Sequence, residues 1–416
     1  MRHNPEQVAW MVLLGSFLAC LALTGLTAWG SQWWVVNAQA PQTIQLNASG
    51  TVLVRPPGRT EDVASPDRVP VGSLLSTEPG AQATLNFYAP DGVTVLATVQ
   101  VSGNTRLWVL QADSPRFNLS PHDHTIRLNV EWGRVRARVG LDTSRAVKID
   151  LLSEPQAWTI LQQPGSNTSV EVGATRTTAT VREGEAIVVS LSQNQSITLI
   201  KDQRAEVPPN SPILGPLPAE RNLVSNGDFS AALAPDWATD IRQPKQPEDD
   251  IGQILPLTRD GRPAVNFYRT GQDWGQIGLT QILDKDVSDF QSLRLQLDVF
   301  IALQNLFNCG EAGTECPVMV KLKYVDINGN EQEWLQGFYA NPSASVATLC
   351  VTCPPPRTPQ HEQVAYNQWT TFESVNLLEV FEAANLKAVT LKSITVYASG
   401  HTFESWVADV QLLVSE

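Results

Sequence analysis

The amino-acid sequence predicts an all-β protein in which one N-terminal transmembrane helix precedes two domains of the β-sandwich or jelly-roll type. Three observations lead to this fold class. An apolar stretch of 22 residues, 8–29, lies near the N-terminus, short β-type runs fill most of the remainder, and a proline-rich segment divides those runs. With 416 residues the chain is about twice the ~100–200 residues of one domain, so at least two folded domains are expected.

The apolar stretch is long enough for a membrane-spanning helix. No charged residue occurs between Glu6 and Arg55, and 22 residues extend about 33 Å as a helix, which covers a hydrocarbon core of ~30 Å. Four tryptophans stand where membrane-interface anchors are expected, namely Trp10, Trp29, Trp33 and Trp34. Arg2 favours a cytoplasmic N-terminus. We therefore predict a cytoplasmic tail at 1–7, a signal-anchor helix at 8–30, and an extracytoplasmic location in the cell membrane for the rest of the chain.

A cleaved signal peptide is the competing interpretation of the same segment. Ala38-Gln39-Ala40 has the small-x-small pattern of a cleavage site. Pro41 directly after it is expected to block cleavage, and the apolar stretch exceeds the usual h-region. A lipoprotein box at Cys20 is a poor match, because Phe17-Leu18-Ala19 precedes it. The sequence favours a retained helix and leaves cleavage open.

The first exported domain, residues 45–206, has the pattern of an all-β unit. Short alternating or apolar runs are separated by glycine, proline, aspartate and asparagine, and no long helical periodicity competes with them. The candidate strands are 51–54, 83–88, 93–101, 105–110, 125–130, 135–139, 147–152, 157–162, 169–172, 177–181, 186–191 and 196–200.

Several turns of this domain resemble the extracytoplasmic domain of the FecR family. The resemblance is carried by Asp91-Gly92 between two strands, by the hairpin Gly133-Arg134-Val135, and by Glu183-Gly184-Glu185-Ala186 in the closing repeat. It covers about 150 residues. FecR-type proteins act on a cytoplasmic sigma factor through an N-terminal cytoplasmic domain, for which residues 1–7 offer no counterpart. Asp202-Gln203-Arg204 also replaces the expected closing glycine. The resemblance therefore implies the domain type and not the regulation of a sigma factor.

Two polar patterns in this domain have plain structural explanations. Arg134, Arg136 and Arg138 alternate along one strand and so share a face, which we expect to be solvated; the alternative is a basic stripe that contacts anionic lipid or an acidic partner. His122 and His124 form the only closely spaced histidine pair. No third metal ligand accompanies them, so we predict a surface loop there.

A stiff spacer separates the two exported domains. Residues 207–217 contain five prolines or glycines in eleven positions, a composition typical of a semi-rigid linker. We place the linker at 207–219 and the second domain at 220–416. Its candidate strands are 264–269, 278–282, 293–303, 317–326, 332–339, 369–375, 386–398 and 403–414.

The second domain resembles the galactose-binding-like jelly rolls, a group that includes many carbohydrate-binding modules. Its first segment ends in Asn226-Gly227-Asp228-Phe229 with Trp237 eight residues later, and its last strand carries Trp406 followed by Asp409-Val410. The resemblance covers the whole domain and places Trp237 and Trp406 in the core. It implies a module that binds sugars through loop or face aromatics, often with a structural calcium ion, or one that holds proteins together.

Candidate ligand-binding aromatics are Trp274, Trp334, Trp369, Tyr268 and Tyr339. An exposed indole or phenol ring stacks on the C–H face of a sugar as on any apolar plate. Burial in the core is the competing role for each of them. Beyond the calcium ion that the resemblance implies, we expect no cofactor. The run Asp326-Ile327-Asn328-Gly329 indicates a hairpin turn, because Asn-Gly between alternating strands is a strong hairpin signal.

Four cysteines fall in the second domain, Cys309, Cys316, Cys350 and Cys353. In an extracytoplasmic location they are expected to form two disulfides, and the sequence allows three pairings. A zinc site, free thiols and a redox-active Cys-x-x-Cys pair are the alternatives that the spacing leaves open.

The acidity of the chain is confined to its second half. The formal net charge is −13; residues 207–416 carry 13 Lys+Arg against 25 Asp+Glu, whereas residues 41–206 carry 15 against 16. An acidic domain without a basic, aromatic patch is a poor nucleic-acid binder. We find no pairing of nucleophile and base, no phosphate loop and no recognisable carboxylate pair, so we predict a non-enzymatic protein.

Two functions fit these features. In the first, the jelly roll of a membrane-anchored envelope protein binds glycan or cell-wall material. In the second, the protein is an accessory or scaffolding subunit of a larger membrane or cell-surface assembly, and small residues of the helix such as Gly15, Ala19 and Ala22 contact other helices. The sequence favours the first.

Overall fold

The computed structural model describes residues 5–243, 246, 248–310, 313–342, 350–357 and 360–416. The chain divides into two compact units, Met1–Leu217 and Pro218–Glu416, here called unit 1 and unit 2. The predicted fold class is confirmed: one apolar helix is followed by two β-sandwich units.

Helix α1 runs from Pro5 to Asn37 and is longer than the predicted span. Its apolar residues cover its whole circumference, and the most apolar window of 18 residues between Glu6 and Asn37 has a mean hydropathy of 2.0. It is therefore long and apolar enough to cross a membrane. The side chains of Trp10, Trp29, Trp33 and Trp34 are exposed, as is the free thiol of Cys20.

Unit 1 consists of short strands that begin directly after the helix, before the predicted domain start at residue 45. The strands are β1 (Gln39–Pro41), β2 (Thr43–Ser49), β3 (Val52–Arg55), β4 (Val63–Ala64), β5 (Leu74–Thr77), β6 (Gln82–Tyr88), β7 (Val95–Val101), β8 (Arg106–Pro115), β9 (His124–Val139), β10 (Val147–Ser153), β11 (Ala157–Leu161), β12 (Asn167–Val172), β13 (Thr177–Glu183), β14 (Glu185–Ser190), β15 (Gln195–Ile200), β16 (Gln203–Val207) and β17 (Leu214–Pro218).

Strand β9 belongs to both layers of unit 1. Its first half pairs with β8 and, in parallel, with β10, whereas its second half pairs with β7 and β12. The bend lies at Gly133, which has φ +92°, and a Cβ there would meet the backbone of Thr105 at 2.6 Å. Only glycine fits both requirements. Residues such as Leu128 and Val135 from the two halves enter one apolar core.

The arginines of β9 do not form the predicted solvated stripe. Arg138 is exposed, but Arg134 and Arg136 are buried. Because the second half of β9 has strands on both sides, Arg134 lies opposite Glu171 and Arg136 opposite Ser169 of β12. The expectation of solvation is therefore wrong for these two side chains.

Unit 2 has fewer and longer strands. They are β18 (Arg221–Asn222), β19 (Ala238–Arg242), β20 (Gln253–Arg259), β21 (Arg262–Asp286), β22 (Ser292–Gln304), β23 (Val318–Asp326), β24 (Glu331–Tyr339), β25 (Glu362–Gln363), β26 (Thr370–Glu373) and β27 (Ala388–Ser415). A 3-10 turn covers Phe307–Cys309, and helix α2 covers Leu377–Ala383.

Strands β21 and β27 each run through both layers of unit 2. Their pairing shifts register between Thr270 and Gly275 of β21, opposite Gly400 to Thr402 of β27. C-terminal to this bend, β21 lies between β19 and β27. The N-terminal half of β27 also lies beside β23, which pairs with β24. Before it, β21 pairs with β20, and the C-terminal half of β27 pairs with β22, which pairs with β26. We call the layer with β19, β23 and β24 the first layer and the layer with β20, β22 and β26 the second.

Candidate functional site

The side of the first layer that faces away from the core of unit 2 carries rows of polar side chains, of which Gln276, Lys321, Ser393, Thr395, Tyr397 and Ser399 are buried. On β27, Ile394, Val396 and Ala398 enter the core, so the alternate positions face outward. We call this outer side the polar face. Its residues are Asp240, Gln276, Thr280, Lys321, Lys323, Glu333, Ser393, Thr395, Tyr397 and Ser399.

Cross-strand register brings these side chains into rows. Thr280 lies opposite Thr395, which lies opposite Lys321, and the two threonine hydroxyls are hydrogen-bonded at 2.8 Å. Lys323 Nζ lies 3.2 Å from Glu333 Oε1. The accessible side chains of the face, Asp240, Thr280, Lys323 and Glu333, offer a hydroxyl and charges of both signs, which are the groups that bind a polyhydroxylated ligand.

Tyr397 lies in the middle of the polar face. Gly278 stands opposite it on β21, and any Cβ at Gly278 would overlap the Cβ of Tyr397 and lie 2.7 Å from Val396 O. Burial, and then the negative charge of Glu333, raise the pKa of the Tyr397 phenol, so the hydroxyl is protonated at neutral pH and can donate a hydrogen bond.

Lys321 provides a positive charge next to this ring. Its Nζ lies 5.6 Å from the centre of the Tyr397 ring, within the range of a cation–π contact. Burial lowers the pKa of the Lys321 ammonium, and the carboxylates of Glu333 and Asp240 oppose that shift. Lys321 and Tyr397 therefore form a buried cation–π pair beneath the centre of the face.

Trp274 lies at the end of the polar face where β21 bends. Its indole Nε1 donates a 3.0 Å hydrogen bond to the Ser399 hydroxyl, and its backbone N–H bonds Asp273 Oδ1 at 2.8 Å. The side chain is half-buried. The hydrogen bond fixes the ring next to the face, so Trp274 is the predicted aromatic residue that this site includes.

One disulfide borders the same face. Cys309 is bonded to Cys316, and both pack with Met319, Tyr339 and Tyr397 in a small apolar cluster. Met319 is the register partner of Tyr397 on β23. The disulfide therefore supports the central tyrosine from the side of the loop.

The second disulfide joins Cys350 to Cys353. His361 is the third member of a group in which one ligand atom from each residue lies within 4.8 Å of the others. The Gly337 N–H donates to His361 Nδ1 at 2.9 Å, so the neutral ring carries its proton on Nε2, which donates to Gly313 O at 2.6 Å. Burial lowers the His361 pKa and keeps the ring neutral. With both sulfurs in a disulfide and both ring nitrogens bonded, these residues fasten loops to β24.

The other predicted aromatics do not join Trp274. Trp334 is completely buried and Tyr339 is almost so, because their positions on β24 place them in the core and in the disulfide cluster. The prediction of exposed platforms at these two residues is wrong.

Trp369 and Tyr268 lie on the second layer. Trp369 packs on Phe300 at 5.5 Å between ring centres, and its Nε1 bonds Asp260 at 3.1 Å. Tyr268 pairs with Gln253 of β20. Both side chains are half-buried. Tyr268 is on a strand of the second layer and Trp369 directly precedes one, whereas Trp274 lies at the bend beside the first layer.

A buried arginine occupies the densest group of backbone oxygens at the bend of β21. The Arg269 side chain is fully buried and donates to Asp250 O, Asp273 O, Gly400 O and His401 O, each at 2.7 Å. Asp249 completes the set through Oδ2 at 2.9 Å. Hydrogen bonds from the backbone N–H groups of Asp273 and Gln272 lower the pKa of Asp249 to about 2. This group of oxygens already holds a cation, so it does not fit a calcium ion.

The carboxylate of the Asn328-Gly329 turn is also engaged. Asp326 Oδ1 accepts from the backbone of Asn328 at 2.8 Å and of Asn330 at 3.0 Å, and Oδ2 accepts from Gln332. The predicted hairpin between β23 and β24 is confirmed.

No protein-family model and no curated protein sequence matches the chain. Among solved structures, a protein described as an anti-sigma factor from Parabacteroides distasonis is 17% identical, with a TM-score of 0.25, over 34% of this chain and 57% of that one.

Two carbohydrate-binding modules from Clostridium thermocellum also match. The family 11 module of a cellulosomal cellulase is 13% identical over 47% of this chain and 95% of its own, with a TM-score of 0.27. A family 22 module is 11% identical over 46% and 96%, with a TM-score of 0.24. The matched part is just over half of the anti-sigma factor chain. These are coarse similarities of fold and assign no ligand.

Sequence analysis missed most of the polar face. The signal that could have identified it lies in and just after the predicted strand 386–398. Polar residues alternate there at Ser393, Thr395, Tyr397 and Ser399. The pairing of that stretch with Lys321 and Lys323 depends on strand register, which the sequence does not display.

Proposed function

We propose that this chain is a membrane-anchored, extracytoplasmic, non-catalytic protein and that unit 2 binds a glycan on its polar face. Helix α1 supplies the anchor in this proposal, with the N-terminus in the cytoplasm. The two disulfides of unit 2 favour an oxidising compartment for it.

The observation that carries the proposal is the half-buried Trp274 indole beside the accessible polar side chains of the face. The half-buried Trp274 indole can contact the C–H groups of a sugar, while the accessible side chains of Thr280, Lys323 and Glu333 bond its hydroxyls. Tyr397 is buried below these groups, with Gly278 and Met319 as its register partners and Lys321 Nζ over its ring. Trp274 extends the face at one end through its bond to Ser399.

The test is a binding assay of the full chain in lipid nanodiscs against a panel of soluble glycans and cell-wall fragments, with and without calcium. Trp274→Ala is expected to weaken binding about tenfold, or ~1.4 kcal/mol, through the loss of an aromatic contact. Lys323→Ala is expected to reduce binding as well. Trp369→Ala is the matched control, because it removes a half-buried indole from the other layer, and it should leave affinity unchanged.

The outcome decides between the two functions. Equal losses in the Trp274 and Trp369 variants would contradict a site on the polar face. No saturable binding to any fragment by the folded protein would favour the assembly-subunit function. We also propose that unit 2 holds a structural calcium ion. A loss of glycan affinity when a chelator removes calcium would support this ion.

A further inference from the structure

The β-sandwich of unit 1 is hydrogen-bonded to the end of helix α1, and no linker separates the two. The Arg116 N–H donates to Ala38 O at 2.9 Å, and the Ser120 hydroxyl donates to Val36 O at 2.6 Å. The rings of Trp34 and Phe117 meet edge to face with centres 4.9 Å apart. The loop of residues 116–123 is thus held against the end of the helix.

Arg145 gives this loop a fixed shape. Its guanidinium donates to four loop carbonyls, those of Phe117, Asn118, Ser120 and His122. One charged group that bonds four carbonyls orders the backbone of the whole loop. Leu119, in the middle of the loop, receives no such contact and is 83% exposed.

Two further loops lie at the same end of unit 1. The loop of residues 140–146 leads to β10, and the His124 N–H that follows the first loop donates to Ala146 O at 3.0 Å. The turn of residues 89–94 precedes β7, and the Gly140 N–H donates to Leu96 O at 2.8 Å. Because β9 runs away from the helix and returns after its bend, its two ends lie at the same edge of the sandwich.

Each of the three loops exposes one large apolar side chain. Val93 is 79% exposed and Leu141 is 63% exposed, beside Leu119. Among the described large apolar residues of unit 1 outside α1, these three are the most exposed. Exposed apolar side chains clustered at one end of a domain mark an interaction surface.

The position of the helix identifies the partner. Tryptophans near the end of a membrane-spanning helix lie at the depth of the lipid headgroups. Trp34 is one of these tryptophans, and its ring contacts Phe117 of the first loop. Apolar groups of peripheral segments enter the membrane by about 5–10 Å, as far as the boundary between headgroups and acyl chains. A loop bonded to the helix at Val36 is within that reach.

We propose that this end of unit 1 rests on the membrane, with Val93, Leu119 and Leu141 inserted into the outer headgroup region. The proposal rests on the proposed anchoring by α1. The charged side chains of the three loops are Arg116 and Arg145 against Asp91, Asp123 and Asp142. This balance does not favour anionic lipid, so the contact is apolar and should form on zwitterionic lipid.

The test uses the full chain in phosphatidylcholine nanodiscs, one copy per disc, with an environment-sensitive fluorophore on a single cysteine. Cys20→Ala removes the native thiol, and Val93→Cys, Leu119→Cys or Leu141→Cys introduces the new one. Leu191→Cys is the matched control. Leu191 is an exposed leucine beside Gln156 at the other end of the strands, about 20 Å from the membrane end by strand length.

The three loop labels are expected to show blue-shifted emission, quenching by lipids with brominated acyl chains and protection from iodide, and the label at position 191 should show none of these. The same result with and without anionic lipid is expected. A label on native Cys20 in the otherwise unchanged chain serves as the reference for anchoring.

If brominated lipid quenches Cys20 while the loop labels behave like position 191, the membrane contact is overturned and the anchor stands. If Cys20 itself is not quenched, the anchor fails and the contact fails with it. Protection of the loop labels in discs that hold a single copy excludes a second chain as the covering partner.

Discussion

Arg269 shows how a single residue organises unit 2. Its buried guanidinium joins both bent strands, because Asp273 belongs to β21 and Gly400 to β27. A buried charge is tolerated only when its hydrogen bonds are satisfied, and here four carbonyls and the Asp249 carboxylate satisfy it. The same side chain lies against Gly271 and Gly275, where any Cβ would overlap or crowd it.

Arg269→Met tests this role. The substitution approximately keeps the length of the side chain and removes the donor of four carbonyls and the charge partner of Asp249, so the free energy of unfolding of unit 2 is expected to fall by about 3–5 kcal/mol. Hydrogen–deuterium exchange of the full chain measures it, because the exchange rates report the two units separately.

Arg294→Met is the control for the loss of an arginine. Arg294 pairs with Glu220 and Glu373, and all three are substantially exposed, so its loss should cost about 0–1 kcal/mol. Equal effects of the two substitutions would show that Arg269 does not hold the bend.

The sequence predicted where the chain is extended better than it predicted which extended segments join into one strand. The predicted strand 293–303 corresponds closely to β22. The segments 264–269 and 278–282 were predicted as two strands, but both belong to β21, just as 386–398 and 403–414 both belong to β27. Alternation predicts where a chain is extended; whether it bends between layers depends on contacts such as those of Arg269, which are distant in sequence. Helix α2 was missed because its seven residues are too few for a clear helical period.

Gly278 on β21 packs directly against Tyr397 of the polar face. Gly278→Ala is expected to push β21 away from β27 and to displace Tyr397, since the new Cβ would overlap its Cβ. Overpacking of this kind costs about 1–3 kcal/mol. We expect lower stability of unit 2 together with weaker glycan binding, measured by exchange and by the nanodisc assay.

Gly173→Ala is the matched control for Gly278→Ala. A Cβ at Gly173 meets only Arg176 O at an ordinary 3.6 Å, so stability and binding should be unchanged. Retention of full affinity in a destabilised Gly278 variant would separate Tyr397 from the proposed site.

At the scale of the molecule, the sequence predicted the division of the chain more readily than the ligand site. Proline and glycine in 207–217 predicted a linker at 207–219; the units divide within it, between Leu217 and Pro218, but Leu214–Pro218 forms strand β17. Trp237 and Trp406 were expected in the core and are buried. The polar face requires five strands in one register, and Lys321 and Tyr397 are 76 positions apart in the sequence, so no local pattern could indicate their contact.

The distribution of cysteines gives the two units different responses to reduction. Unit 1 has no disulfide, and its apolar core lies between its own layers; both disulfides of the described residues lie in unit 2. In the chain-entropy account, a bond that closes a short loop such as 309–316 stabilises by about 2 kcal/mol, and each kcal/mol shifts Tm by about 2–4 °C for a unit of this size. We therefore expect calorimetry of the full chain to show two transitions, of which a thiol reductant lowers only one, by at least about 4 °C. The double variant Cys309→Ala, Cys316→Ala should lower the same transition without reductant, and Cys20→Ala should lower neither. A single transition that moves as a whole on reduction would contradict independent folding of the two units.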